Sequence, residues 1–118
     1  MPLAIKLSFN THLNYPSMAE LFQAINLRAE LDMHGISSQL SQQRPPRLDI
    51  STRGRKGAIF LMHGDGARAY SLVFPDNKLV YSVVFAALKA RNLKTEGEIV
   101  SVSELRLKQE DEALLSAF

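Results

Sequence analysis

The chain has 118 residues, of which 46% are hydrophobic and 22% charged, a composition typical of one globular domain and not of a disordered or membrane-spanning chain. It has no cysteine, which excludes disulfides, thiolate nucleophiles, iron–sulfur clusters and cysteine-based zinc sites. Its formal charge at pH 7 is only +2, and its longest apolar run is far shorter than the roughly 20 residues of a membrane span.

The first elements are a predicted strand and a predicted amphipathic helix. Apolar residues alternate with small or polar ones over Leu3–Phe9, the pattern of a strand with one buried face. Ser17 and Glu20 form a capping box that begins a helix, and Gly35 is placed to end it. The apolar stripe of this helix is Met18, Leu21, Phe22, Ile25, Ala29 and Met33.

The middle of the chain is predicted to be rich in strands. Residues 36–46 are Ser/Gln-rich and end in two prolines, which favours a loop or a frayed edge. A short strand at Leu48–Ile50 is followed by a tight basic turn at Gly54–Gly57. Two further strands, Ala58–His63 and Ala67–Phe74, flank a glycine-containing hairpin loop.

The last third predicts a second long helix, one strand and a short helix. Asp76 is the expected N-cap of a helix that reaches Arg91 and carries its apolar residues at helical spacing. Gly97 is interpreted as a turn before a strand at Ile99–Leu107, and Gln109–Ala117 as an amphipathic terminal helix.

These elements predict a single α+β domain over residues 1–118. The expected order is β-α-β-β-β-α-β-α, with two main helices and a short C-terminal helix on a largely antiparallel sheet of four to five strands. Two β-α units on one sheet suit a split β-α-β arrangement. The N-terminus lacks the pattern of a signal peptide, so we expect a soluble, cytoplasmic protein without membrane contact.

The small net charge conceals an uneven distribution. Residues 1–52 are neutral, residues 53–94 carry eight basic against two acidic side chains, and residues 95–118 carry two basic against six acidic ones. The middle of the chain is therefore basic and its end acidic, an asymmetry that bears on binding partners more than on the fold.

The basic residues suggest a nucleic-acid interface. Five of them lie within thirteen positions, and a sixth is expected to join them from the second hairpin: Arg44, Arg47, Arg53, Arg55, Lys56 and Arg68. Guanidinium groups on a protruding turn can hold phosphates. Tyr70, Phe60 or Phe74 would stack bases if exposed, although Phe60 and Phe74 are expected in the core. The acidic stretch at residues 110–112 is a candidate shield for this basic surface.

We therefore expect a small non-enzymatic regulatory or accessory module of bacterial type. Its expected partner is nucleic acid or a protein–nucleic-acid complex. The histidines His12, His34 and His63 lack metal-ligand spacing, so neither a metal nor another cofactor is expected. An edge strand at Leu48–Thr52 and the terminal helix are candidate contact surfaces between the subunits of a homo-oligomer.

An enzymatic alternative begins at the N-terminus. The segment Met1-Pro2-Leu3-Ala4-Ile5-Lys6-Leu7 resembles the start of the tautomerase superfamily, whose members open with proline, a strand, a loop and a helix. The resemblance implies that Pro2, once Met1 is removed, acts as a general base, its pKa lowered by burial in an apolar pocket beside cations. It also implies an arginine that holds the substrate, for which Arg28, Arg47 and Arg53 are available.

Overall fold

A computed structural model describes residues 2–11, 18–43, 45–64, 66, 68–116 and 118. Within them the chain forms a six-stranded antiparallel sheet with four α-helices, which confirms the predicted α+β class. The strands are β1 (Leu3–Asn10), β2 (Ser37–Ser41), β3 (Arg47–Thr52), β4 (Arg55–His63), β5 (Ala69–Pro75) and β6 (Thr95–Ser101). The helices are α1 (Met18–Ala24), α2 (Leu27–Met33), α3 (Lys78–Ala90) and α4 (Gln109–Ser116), and a 3₁₀ turn spans Val102–Leu105.

The strand order across the sheet is β2-β3-β4-β5-β1-β6. Both β5 and β6 pair antiparallel with β1, so they are parallel to each other and α3 connects them across β1. This is a split β-α-β unit. The turn between β3 and β4 and the N-terminus of α3 thereby lie at one end of the sheet, and the turn between β4 and β5 lies at the other.

One face of the sheet, here called the helical face, packs against α1, α2 and α3. Alternate residues of the strands point into this core, as the period-2 pattern of β1 predicts. The largest buried side chains of the core are Leu7, Leu21, Phe22, Ile25, Leu27, Leu31, Ile36, Leu48, Ile50, Ile59 and Phe74. None of the helices in the described part of the chain has the length and hydropathy of a membrane span.

The opposite face, here called the α4 face, carries a second and smaller core. Phe60 at its centre is completely buried and packs in a cluster with Val73, Val102 and Leu115. The helix α4 lies close on β4 because Gly57 has no side chain. A Cβ at Gly57 would come within 3.1 Å of the Leu114 carbonyl oxygen and 2.9 Å of the Phe118 ring.

The prediction of four to five strands is wrong by at least one, because Ser37–Ser41 forms the edge strand β2 and not a loop. An edge strand buries little, so its side chains stay polar and the sequence lacks the apolar alternation of an inner strand.

The predicted first helix is two helices, since Asn26 between them adopts a left-handed conformation with φ of 57°. Ala29 and Met33, assigned to the apolar stripe, are both exposed. The helix α2 buries Leu27 and Leu31 instead. The capping residue Ser17 lies outside the described residues.

The second long helix is confirmed, but its N-cap is Asn77 and not Asp76. The Asn77 side chain accepts hydrogen bonds from the backbone N–H groups of Leu79 and Val80, at 3.0 and 3.1 Å. The last strand begins at Thr95 and ends at Ser101, earlier than predicted. Gly97 lies inside it because it pairs with Leu7, whose side chain would stand 3.0 Å from a Cβ at that position.

Candidate functional site

Three cationic side chains lie at the hairpin between β3 and β4. Arg53 is in the turn, and Arg55 and Lys56 are the first residues of β4, where successive side chains point to opposite faces of the sheet. The turn predicted at Gly54–Gly57 is therefore wrong in its bounds, because Arg55, Lys56 and Gly57 belong to β4.

Arg53 and Gly54 form the tip of this hairpin, with φ of 50° and 79°, the pair of positive values that a tight two-residue hairpin requires. Thr52 and Arg55 are paired across the turn, so the backbone geometry of the hairpin is closely constrained. We call Arg53, Arg55 and Lys56 the basic turn; all three side chains are exposed.

The cations of the basic turn have few partners. Within the described part of the chain, neither Arg53 nor Lys56 makes a salt bridge or a side-chain hydrogen bond. Arg55 donates from Nη1 to the carbonyl oxygen of Phe118 at 3.4 Å, a long and weak contact. The turn therefore offers positive charge that the described carboxylates do not neutralise.

Arg47 is placed differently from the basic turn. Its guanidinium donates to Asp49 Oδ1 at 2.7 Å and to Asp111 Oδ1 at 2.8 Å, and it also reaches Gln43. The side chains of Arg47 and Asp111 are only 15% and 6% exposed. These contacts hold α4 on the sheet and leave Arg47 with little freedom to bind a partner molecule.

The remaining predicted cations do not extend this cluster. Arg68 is exposed but lies beyond the far end of β4, a strand of nine residues, so about 27 Å of sheet separates it from the basic turn. Arg44 lies outside the described residues. The structure thus places three of the six predicted contact residues at one hairpin.

The aromatic candidates are buried. Phe60 and Phe74 are completely buried, which confirms their expected place in the core. Tyr70 is 8% exposed and stacks on Phe9 on the helical face, with ring centroids 6.1 Å apart. A surface built on the basic turn must therefore bind without stacking on these rings.

Pro2 does not have the environment that a catalytic proline needs. Its side chain is exposed and its carbonyl oxygen accepts a hydrogen bond from the Val102 N–H at 3.1 Å. Arg47 is on β3, which β4 and β5 separate from β1, a spacing of about 14 Å. The tautomerase hypothesis stays a prediction from the sequence, and the exposure of Pro2 gives it no support.

A polar cleft lies next to the basic turn on the α4 face. It has a volume of about 350 Å³ and is bounded by β2, β3, the start of β4 and the helix α4. Its polar lining includes Ser37, Gln39, Asp49, Ser51 and Lys56, and Leu114 of α4 forms an apolar part of the wall. Lys56 thus belongs both to the basic turn and to the cleft.

Of the predicted acidic shield at residues 110–112, Asp111 pairs with Arg47, one of the six predicted contact residues. Sequence reasoning missed the pairing of Arg47 with Asp49 and the residues of the cleft. The pair Arg47 and Asp49 has a local signal, because residues two apart on a strand share a face and can form an ion pair. For Arg47 and Asp111, which are 64 positions apart, the opposite charges of the two segments are a general signal, but nothing local identifies the individual pair. The cleft depends on the edge strand β2, which the sequence pattern does not reveal.

Comparisons of the chain with protein-family models, with curated proteins and with solved structures found no match.

Proposed function

We propose that this chain is a non-enzymatic binding module that contacts the phosphates of a nucleic acid, alone or within a protein–nucleic-acid complex, through the basic turn. The observation that supports this most is the exposure of Arg53, Arg55 and Lys56 on one constrained hairpin, none of them in a salt bridge within the described residues.

The chemistry of the turn suits phosphate. Arginine offers a planar fork of N–H donors that matches two phosphate oxygens, and lysine adds a mobile point charge. A hairpin that already holds these groups together loses less conformational freedom on binding than a disordered basic segment would. The ion pair of Arg47 with Asp111 stabilises the scaffold behind the turn and adds little to its charge.

Reversing the charge of the turn is expected to weaken binding. The variant R53E/R55E should bind a fluorescein-labelled single-stranded oligonucleotide about tenfold more weakly than the unchanged chain, because two phosphate contacts become repulsive. Fluorescence anisotropy at fixed salt measures the affinity. RNA and DNA oligonucleotides of one sequence are both used, since phosphate contacts alone do not distinguish them.

The matched control is K89E/R91E at the C-terminal end of α3. Both residues are exposed, the change in net charge is the same, and they lie at the end of the sheet opposite the basic turn. The control should change the affinity by less than about twofold. An equal loss in both variants, or no loss in R53E/R55E, would contradict the proposal.

A further inference from the structure

The polar cleft on the α4 face has a row of unused hydrogen-bonding groups that leads to the basic turn. Ser37 pairs with Ser51 across β2 and β3, and Ser51 pairs with Lys56 across β3 and β4, so these three side chains share one face in a line. Gln39 lies in the adjacent row, opposite Asp49.

Within the described part of the chain, these polar groups have no side-chain partner. The hydroxyls of Ser37 and Ser51 and the amide of Gln39 make no side-chain hydrogen bond with any other described residue. Each of them can both donate and accept.

The charge of Asp49 is already engaged by Arg47 at 2.7 Å. Arg47 also lines the cleft, where Asp49 and Asp111 share it, so the floor is polar without a surplus of positive charge. Lys56 adds a positive charge where it ends the row.

This distribution restricts the chemistry of a ligand. An apolar molecule would remove the hydroxyls and the amide from water without replacing their hydrogen bonds, which is unfavourable. An isolated phosphate would bind to Lys56 and make no hydrogen bond with Ser37, Gln39 or Ser51. A nucleotide uses both parts, because its base edge offers donors and acceptors and its phosphate is anionic. Leu114 gives the face of the base an apolar contact.

The size of the cleft points to one unpaired base. Its volume of about 350 Å³ lies at the lower end of ligand sites, roughly 300–1,000 Å³. A duplex would keep its base edges within the grooves, whereas a single strand can turn one base outward. We infer that the cleft binds one base of a single-stranded nucleic acid whose flanking phosphates lie on the basic turn. This inference rests on the proposed function.

The test compares a labelled eight-nucleotide strand with an abasic phosphodiester strand of equal length. The unchanged chain should bind the strand with bases about fivefold more tightly than the abasic one, the effect of one or two neutral hydrogen bonds. In Ser51→Leu, whose new side chain fills the cleft, this preference should fall below about twofold with the affinity for the abasic strand unchanged. RNA and DNA strands are run in parallel, and the preference for strands with bases should appear in at least one of them.

The two proposals fail in different ways. Equal affinity of the unchanged chain for strands with and without bases overturns the cleft inference and leaves the basic turn in place. Failure of R53E/R55E to weaken binding of the abasic strand overturns the proposed function itself. Gln39→Ala is the second variant, because Gln39 is exposed on an edge strand and its loss leaves the core intact. A full base preference in Gln39→Ala and in a folded Ser51→Leu would also overturn the inference.

Discussion

Replacing Phe60 by alanine is expected to lower the free energy of unfolding by about 4 kcal/mol, the usual range for a large aromatic side chain removed from a packed core. Phe60 is completely buried on the α4 face, in the cluster that includes Val73, Val102 and Leu115. Its loss leaves a cavity between β4 and α4 that neither element can close by a side-chain rearrangement alone. Urea denaturation followed by circular dichroism measures the change.

Two further variants control this measurement. Phe60→Leu keeps most of the buried volume and should cost about 1 kcal/mol. Tyr81→Ala removes an aromatic ring that is 37% exposed on α3 and should cost clearly less than Phe60→Ala. A Phe60→Ala protein within about 1 kcal/mol of the unchanged chain would mean that the α4 face has no packed core.

The second large effect is expected at the ion pair between Arg47 and Asp111. Asp111→Ala should lower the free energy of unfolding by about 3 kcal/mol, because it leaves a mostly buried guanidinium with one of its two carboxylate partners. The same variant weakens the attachment of α4, so hydrogen exchange of the α4 amides should become faster. Chemical denaturation and exchange mass spectrometry give the two readouts.

Glu110→Ala is the matched control for Asp111→Ala. Glu110 is the preceding residue of α4, it is exposed, and its removal changes the net charge equally. Its effect should stay within about 0.5 kcal/mol. The double variant R47M/D111L removes both charges and should recover most of the stability lost in Asp111→Ala. Similar losses in Asp111→Ala and Glu110→Ala would show that the ion pair contributes nothing to stability.

The parts of the fold that the sequence predicts are those with strong burial. Leu3–Phe9 alternates because one face of β1 meets a core, and the same physical cause places Phe60 and Phe74 inside. The helix α3 could be predicted although its first half is rich in β-branched residues, because its apolar spacing fits one buried helical face.

The errors occur where local pattern and tertiary context diverge. The strand β2 is polar because it is an edge, and only its register with β3 identifies it. Glycine is a residue typical of turns, but Gly97 lies inside β6. It pairs there with Leu7, whose side chain would stand 3.0 Å from a Cβ at position 97. Asn26 tolerates the left-handed conformation that divides the first helix, and beyond it α2 buries Leu27 and Leu31, which the helical spacing of the first part does not predict.

Similar reasons explain why only part of the candidate site could be predicted. The uneven charge of the chain located Arg53, Arg55 and Lys56, which the structure keeps exposed on one turn. Charge alone could not distinguish these exposed residues from Arg47. Arg47 is mostly buried and paired with Asp111 only because α4 packs on the sheet, which the sequence does not show. Nor could it show that Arg68 lies at the other end of the sheet.

The salt dependence of binding tests the central claim most directly. If Arg53, Arg55 and Lys56 each neutralise one phosphate of a single strand, log K should fall against log salt with a slope of about −2. In R53E/R55E the slope should shrink to about −0.7 or less, since one contact remains. Anisotropy titrations between about 50 and 200 mM salt measure both slopes. A slope near zero in the unchanged chain, or the same slope in both proteins, would contradict binding through the basic turn.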